Sequence, residues 1–245
     1  MEETDIGVVE EPAQMNFIQR LTGMFFEPGK TFADINRKPS WFGVYLIVGI
    51  LSMPFMYLLF SRINMAAQTA QQMADQGVAP EQIEQSVRIM SIIYKYVVPI
   101  LAPLGILVTY LIIAAVLLLL FIIMGAPLTF KKSLAVTFWG YFPPAIVSMF
   151  LSVVILFVKD PSTLDPRNVM MSNLGALADV KANPVLFSLL SSLDLFTIWT
   201  IALLSIGFAA ISDRRLTTKK AATGIIVLWV IYVLGKAGIA ALTGR

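Results

Sequence analysis

The sequence has 245 residues, of which 58% are hydrophobic and 13% are charged. Soluble domains carry about 25% charged residues, so a soluble fold of this length would lack the polar side chains to cover its surface. The net charge of +3 is small and the basic residues are scattered along the chain. This distribution argues against a nucleic-acid partner, and membrane lipid is the expected surrounding.

The residue types that are missing exclude several kinds of site. The chain contains no Cys and no His. Disulfides, thiolate and imidazole metal ligands, Cys nucleophiles and Ser-His triads are therefore excluded. No phosphate loop, zinc-peptidase motif or dinucleotide fingerprint occurs in the sequence. The sequence predicts a non-enzymatic protein with no cofactor and no metal site.

The N-terminal part divides into two segments. Residues 1–14 are polar and acidic, which predicts a disordered tail. Residues 15–40 place apolar side chains at helical spacing, which predicts an amphipathic segment on the membrane surface. Its predicted anchors to the membrane surface are Phe17, Leu21, Phe25 and Trp41. The alternative interpretation is an ordinary helix packed on the rest of the protein.

The remaining chain, 41–245, predicts an all-α polytopic membrane domain. Five transmembrane spans are predicted at about 42–60, 97–124, 134–158, 185–211 and 221–242. Even the shortest of these spans, from Phe42 to Phe60, is uncharged and about 28 Å long as a helix, enough to cross the hydrocarbon core. The polar stretch between the first two spans predicts a helical hairpin outside the membrane that continues the flanking helices. A further loop helix is predicted to begin at Asp165, just before Pro166.

Lys and Arg residues set the predicted orientation of the five spans. With five spans, the N-terminal segment and the loops 125–133 and 212–220 lie on one side of the membrane and carry ten basic residues, against seven on the other side. The two loops are short, so their basic density is high. The positive-inside rule then places the N-terminus in the cytoplasm and the C-terminus outside the cell membrane.

Two ionisable residues interrupt the predicted spans. Asp194 lies in the fourth span and Lys236 in the fifth, at similar depths of the outer half. A charge inside a bilayer costs several kcal/mol unless it is paired or hydrated. The two residues are therefore a candidate ion pair that fixes helix register, or a candidate proton or ion relay. Lys236 alone could also extend its amine to the membrane surface.

The third span contains a candidate hinge. Tyr141 is followed closely by Pro143 and Pro144. Each proline removes one helical hydrogen bond, and the freed carbonyl needs another partner inside the membrane. The run predicts a helix break that serves as a hinge or as the wall of a site. The alternative is that these prolines only shape the helix.

Several motifs, taken in order, resemble the bacterial branch of the YIP1 family of five-span membrane proteins. The first is FFEPGKTFADINRKPSW, residues 25–41, which leads directly into the first span. The others are the YFPP run at 141–144, the segment DLFTIWTIALLSIG at 194–207, and the basic turn Lys219-Lys220-Ala221. The resemblance covers about residues 20–242.

The resemblance implies five spans, a cytoplasmic N-terminus and a C-terminus on the far side. Eukaryotic members bind Rab GTPases and coat components and help to shape membranes. This chain lacks the D-L-Y-G-P signature of those relatives, so Rab binding is not transferred. Bacterial members are largely of unknown function and are sometimes described as transporters.

Two functions follow as hypotheses. The first is a scaffold or adaptor in the bacterial inner membrane, which organises partner proteins or membrane shape. The second is a small transporter or lipid-handling protein that uses Asp194 and Lys236. Five spans are few for a transporter protomer, so the second hypothesis predicts a homo-oligomer. The expected partners are lipid and other membrane proteins or further copies of the chain.

Overall fold

The computed structural model describes residues 13–63, 65–160, 169–170, 172–178, 182–213 and 215–243. These residues form α-helices without a named strand, and one isolated bridge joins Asn173 to Asp194. The all-helical class predicted from the sequence is confirmed. Most of the predicted acidic tail, residues 1–12, lies outside the described residues.

The helices follow one another in a simple order. They are α1 (Phe17–Phe26), α2 (Pro28–Arg37), α3 (Phe42–Arg62), α4 (Met65–Asp75), α5 (Pro80–Ile92), α6 (Val98–Ile123), α7 (Phe130–Val158), α8 (Pro184–Ser191), α9 (Leu195–Ala210) and α10 (Thr218–Thr243). A π-helical turn, Ile93–Val97, joins α5 to α6 without a break, and a 3-10 turn, Leu174–Leu177, precedes α8.

In the part of the chain that the structure describes, four helical segments are long and apolar enough to cross a membrane. They are α3, the continuous 44-residue segment Pro80–Ile123, α7 and α10. Long uncharged runs produce them, because a helix satisfies its own backbone hydrogen bonds and can expose apolar side chains to lipid. The ends of α3, α6, α7 and α10 lie within four residues of the predicted spans. The prediction of a multi-span membrane protein is confirmed.

The predicted fourth span, 185–211, is not one helix. It divides into α8 and α9, and Ser192, Leu193 and Asp194 separate the two. The 16 residues of α9 extend only about 24 Å, less than the hydrocarbon core. The physical reason is a helix start within the apolar run. The Asp194 carboxylate accepts a hydrogen bond from the backbone N–H of Thr197, so Asp194 caps a new helix.

The polar stretch after α3 forms the helices α4 and α5. Gly77 ends the first with a φ of +75°, which glycine adopts without steric cost, and Pro80 begins the second. As predicted, α5 continues into the following span. The second predicted loop helix, which begins at Asp165, lies largely outside the described residues. Leu174–Leu177, which do belong to that stretch, form a 3-10 turn instead.

The long helices pack as a bundle in which α7 is central. It contacts α3, α6 and α9, while α10 packs along both α8 and α9. Aromatic side chains fill the interior, and the largest fully buried one is Trp139 on α7. The Phe121 ring on α6 stacks on the Phe208 ring of α9 at 4.4 Å between centroids. The burial of these rings joins non-consecutive helices.

One end of the bundle gathers α2 and several helix ends. The side-chain amide of Asn36 on α2 donates to the carbonyl of Ala210 at the end of α9, at 3.4 Å. Met124, at the end of α6, packs against Gly224 near the start of α10. The opposite end contains α8 and the α4–α5 hairpin. Helices α8 and α9 together therefore run antiparallel to α10 along most of its length.

A buried ion pair fixes α1 to α2. The Arg20 guanidinium lies 2.7 Å from the Asp34 carboxylate, and the two side chains are 5% and 6% exposed. Arg20 also donates to the hydroxyl of Ser40 at 2.7 Å and to the carbonyl of Lys38 at 3.2 Å. The backbone N–H of Met15 donates to the second Asp34 oxygen. Four hydrogen bonds thus hold the N-terminal segment in one geometry.

The predicted membrane anchors mostly face the bundle. The Phe17 ring lies 5.9 Å from the Trp139 ring, and the Phe25 ring lies at similar distances from two rings of α7 and α9. Trp41 stacks on a ring of α7 and Leu21 packs against the core. These contacts fit the alternative of a helix packed on the bundle, and contact of the same side chains with the membrane surface stays a prediction. Ring burial against the bundle stabilises this geometry.

We expect Arg20→Ala to destabilise the N-terminal segment strongly. The change leaves the Asp34 carboxylate buried without its partner, which costs about 3–5 kcal/mol. The matched control is Lys30→Ala, which removes the exposed pair between Lys30 and Glu27 and should cost less than about 1 kcal/mol. Thermal unfolding in detergent and limited proteolysis between α1 and α3 measure both. Equal effects of the two changes would contradict the role of the buried pair.

We expect Gly207→Ala to lower the melting temperature. A Cβ at this position would lie 2.6 Å from the Val136 side chain and 2.9 Å from Phe32, where α9 meets α7 and α2. The control is Gly105→Ala in α6, where nothing lies within 4 Å and alanine favours the helix. Melting of the two variants in the same detergent gives the comparison. A Gly207→Ala protein as stable as the wild type would show that the Val136 and Phe32 side chains move aside at little cost.

Candidate intramembrane site

A cavity of about 820 Å³ lies between α6, α7, α9 and α10. Its volume is in the range of ligand-binding pockets, about 300–1,000 Å³. Four residues predicted from the sequence as site residues line it: Tyr141, Pro144, Asp194 and Lys236. The cavity therefore brings together the two candidate sites that the sequence offered separately.

Asp194 lies at the break between α8 and α9. Its carboxylate accepts hydrogen bonds from the Thr197 N–H at 3.0 Å, from the Thr197 hydroxyl at 3.4 Å and from the Ser172 hydroxyl. The positive end of the α9 dipole adds to these bonds, because the carboxylate is at the helix N-terminus. The negative charge is therefore stabilised by neutral donors and a helix end.

Lys236 reaches from α10 to the other side of the same break. Its ammonium donates to the Ser191 hydroxyl at 3.1 Å, the Ser192 hydroxyl at 3.4 Å and the carbonyl of Ser188 at 3.5 Å. These groups surround the C-terminus of α8, where the helix dipole is negative. A cation at this end is favourable, although the Ser188 carbonyl that it approaches also accepts hydrogen bonds from the Ser191 and Ser192 hydroxyls.

The two charges thus serve opposite helix ends. Among the residues that the structure describes, no salt bridge joins Asp194 to Lys236. Asp194 complements the start of α9, and Lys236 complements the end of α8. The structure brings the residues to one cavity without the direct pair that the sequence suggested. A role as a relay remains a hypothesis.

The Tyr141 run shapes the cavity without ending a helix. Helix α7 continues from Phe130 to Val158 with Pro143 and Pro144 buried inside it. The predicted helix break is therefore wrong, while the wall position is occupied by Tyr141 and Pro144. The Tyr141 ring packs on the Tyr110 ring of α6 at 4.7 Å. Neighbouring helices surround this part of α7, which is the setting in which a membrane-spanning helix tolerates proline.

Sequence reasoning missed the hydroxyl groups around the break. Ser191, Ser192 and Thr197 supply partners to the two charges. One signal was available: Asp194 precedes Thr197 by three residues, a spacing at which an Asp side chain caps a helix. Because Asp194 lies in an apolar run, the sequence analysis predicted a charge inside a span and not a helix cap. No group of three or more acidic residues suited to a metal lies together in the described part of the chain.

A family model, the Yip1 domain, matches residues 22–239. The chain belongs to the Yip1 family. The match begins within α1 and ends within α10, so it includes the second half of α1, all of α2, the long helices and the cavity between them. The family resemblance predicted from the sequence is confirmed. No curated protein and no solved structure gives a match to the chain.

We expect the Asp194 and Lys236 substitutions in this Yip1-family protein to act additively. Asp194→Asn keeps a capping side chain and should change stability little, whereas Asp194→Ala should cost about 1 kcal/mol through loss of the cap. Lys236→Met should destabilise the end of α8. The double variant Asp194→Asn with Lys236→Met should be no more stable than Lys236→Met alone. Melting temperatures in detergent test this, and rescue by the double change would show a direct ion pair.

Proposed function

We propose that the chain is a non-enzymatic Yip1-type scaffold in the bacterial inner membrane. The observation that supports this proposal is the α1–α2 segment, which the buried Arg20–Asp34 pair holds rigidly on the bundle. A rigid surface loses little conformational entropy when a partner binds, which favours recognition. The surface of the α1–α2 segment is therefore the proposed contact for a membrane protein partner.

One line of α1 points away from the bundle. Ile18, Thr22 and Phe26 repeat every four residues and so share one face of the helix. Ile18 is 70% exposed and Phe26 is 84% exposed, although their neighbours Phe25 and Met24 pack inward. Exposed large apolar side chains on a fixed helix are typical of an interaction surface. We propose that this face contacts a neighbouring transmembrane protein.

The proposed topology has five crossings with a cytoplasmic N-terminus. Helices α8 and α9 have 24 residues together and extend about 36 Å, enough for one crossing of the hydrocarbon core. Their antiparallel course along α10 supports this count. The basic residues near the start of α7 and α10 support a cytoplasmic position for that end.

Transport receives less support than the scaffold role. The end of the cavity away from Asp194 is closed by Leu117, Leu204 and Ile225, each about 5% exposed or less. A solute in the cavity would meet a packed apolar layer there. The described residues therefore favour a binding site over a route across the membrane.

Photo-crosslinking at Phe26 tests the scaffold role. We expect p-benzoylphenylalanine in place of Phe26 to form a discrete protein adduct in native membranes, which mass spectrometry identifies. The control is the same substitution at Ile50, which is 63% exposed in the middle of α3 and should yield lipid adducts. Lipid adducts alone at both positions would argue against a partner on α1.

Cysteine labelling tests the topology, because the natural chain has no Cys. We expect Gln76→Cys and Ala182→Cys to react with an impermeant maleimide from outside intact cells. Thr218→Cys, at the start of α10, should react only after the membrane is permeabilised. All three positions are exposed. Labelling of Ala182→Cys and Thr218→Cys from the same side would show that α8 and α9 do not cross.

A further inference from the structure

The cavity changes in polarity along its length. Asp194, Lys236, Ser191 and Ser192 form one end, and buried leucine and isoleucine side chains form the other. Lys236 and Ile225 line the cavity from the same helix, eleven residues apart, which corresponds to about 16 Å. A ligand that fills the cavity must therefore carry a polar group at one end and an apolar chain of similar length.

The cavity opens between α6 and α10 towards the side of the bundle. Ile112 and Val116 on α6 line the cavity and are also 59% and 47% exposed. Tyr232 on α10 lines it from the opposite edge and is 65% exposed. These residues belong to the apolar helices that can cross the membrane. An opening at this place faces hydrocarbon, so an entering molecule comes from the bilayer.

The charges at the polar end are not equivalent. The Asp194 carboxylate already receives three hydrogen bonds from neutral donors and caps α9. The Lys236 ammonium contacts only neutral oxygens, at 3.1 to 3.5 Å, and no salt bridge of the described residues includes it. An ammonium in this setting gains most from an anionic oxygen, which forms a shorter and stronger hydrogen bond than a hydroxyl does.

We propose that this cavity binds one anionic phospholipid from the bilayer. An acyl chain lies along the apolar walls of α6, α9 and α10, and the headgroup phosphate accepts from the Lys236 ammonium. The Ser191 and Ser192 hydroxyls donate to the Ser188 carbonyl, so the Lys236 ammonium is the donor that this proposal assigns to the headgroup. This site is independent of the α1 surface assigned to a protein partner, so either proposal can fail alone.

The experiment measures lipid retention by the purified protein. The full chain is exchanged into nanodiscs of phosphatidylcholine with increasing phosphatidylglycerol, and native mass spectrometry counts the lipid that stays bound. We expect one retained phosphatidylglycerol, preferred over phosphatidylcholine by about tenfold, as one charge-assisted contact predicts. Equal retention of the two lipids would overturn the assignment of the headgroup.

Matched variants locate the lipid. Lys236→Met should lose the tenfold preference for phosphatidylglycerol. Lys220→Met makes the same charge change at an exposed position of the same helix and should keep the preference. Ser148→Phe fills the cavity from α7 and removes only a hydroxyl bonded within its own helix. It should abolish retention in a protein that elutes and melts as a folded chain. Retention by Ser148→Phe at the wild-type level would overturn the cavity as the site, even if Lys236→Met fails to fold.

A competition series separates a lipid from a free anion. Lysophosphatidylglycerol, which carries the headgroup and one chain, should displace the retained lipid. Glycerol phosphate, which carries the anion alone, should not displace it at the same concentration, because burial of the chain supplies most of the binding free energy. Displacement by both compounds alike would show a phosphate site and overturn the lipid proposal.

Discussion

Backbone groups inside a membrane protein must find partners within the protein, and the break between α8 and α9 depends on how this requirement is met. A helix that stops leaves carbonyls without partners, and one that starts leaves N–H groups. The Ser191 and Ser192 hydroxyls and the Lys236 ammonium all donate to the Ser188 carbonyl at the end of α8, and Asp194 accepts from the N–H of Thr197 at the start of α9. The hydroxyls and the two charges together supply polar partners at the break. The break in turn places polar groups at one end of an otherwise apolar cavity.

The N-terminal segment also contains buried charged groups, and these form a direct ion pair. Arg20 and Asp34 are nearly fully buried, and their loss of hydration is offset by each other and by Ser40, Lys38 and the Met15 backbone. Such a pair adds little net stability compared with apolar residues, but it permits only one arrangement of α1 on α2. Phe32 then reaches the small gap that Gly207 leaves on α9.

Hydropathy was sufficient to place the long helices, because long and predominantly apolar runs have few alternatives in lipid. Hydropathy was not sufficient where a single side chain determines where a helix begins. Asp194 restarts a helix through one local hydrogen bond, and averaged hydropathy does not register that. Phe17, Leu21 and Phe25 form the expected apolar face, but periodicity cannot tell lipid from a packed helix. The cavity depends on packing between distant segments, so the sequence predicted Asp194 and Lys236 at similar depth but did not predict that Tyr141 and Pro144 line the same cavity.

The continuous helix from Pro80 to Ile123 has a mechanical consequence. Its 44 residues extend about 66 Å, roughly twice the thickness of the hydrocarbon core. One half carries the α4–α5 hairpin outside the bundle, and the other half forms one edge of the cavity opening through Ile112 and Val116. Because the two halves form one continuous helix, the direction of the hairpin outside the bundle is tied to the direction of α6 at the cavity opening.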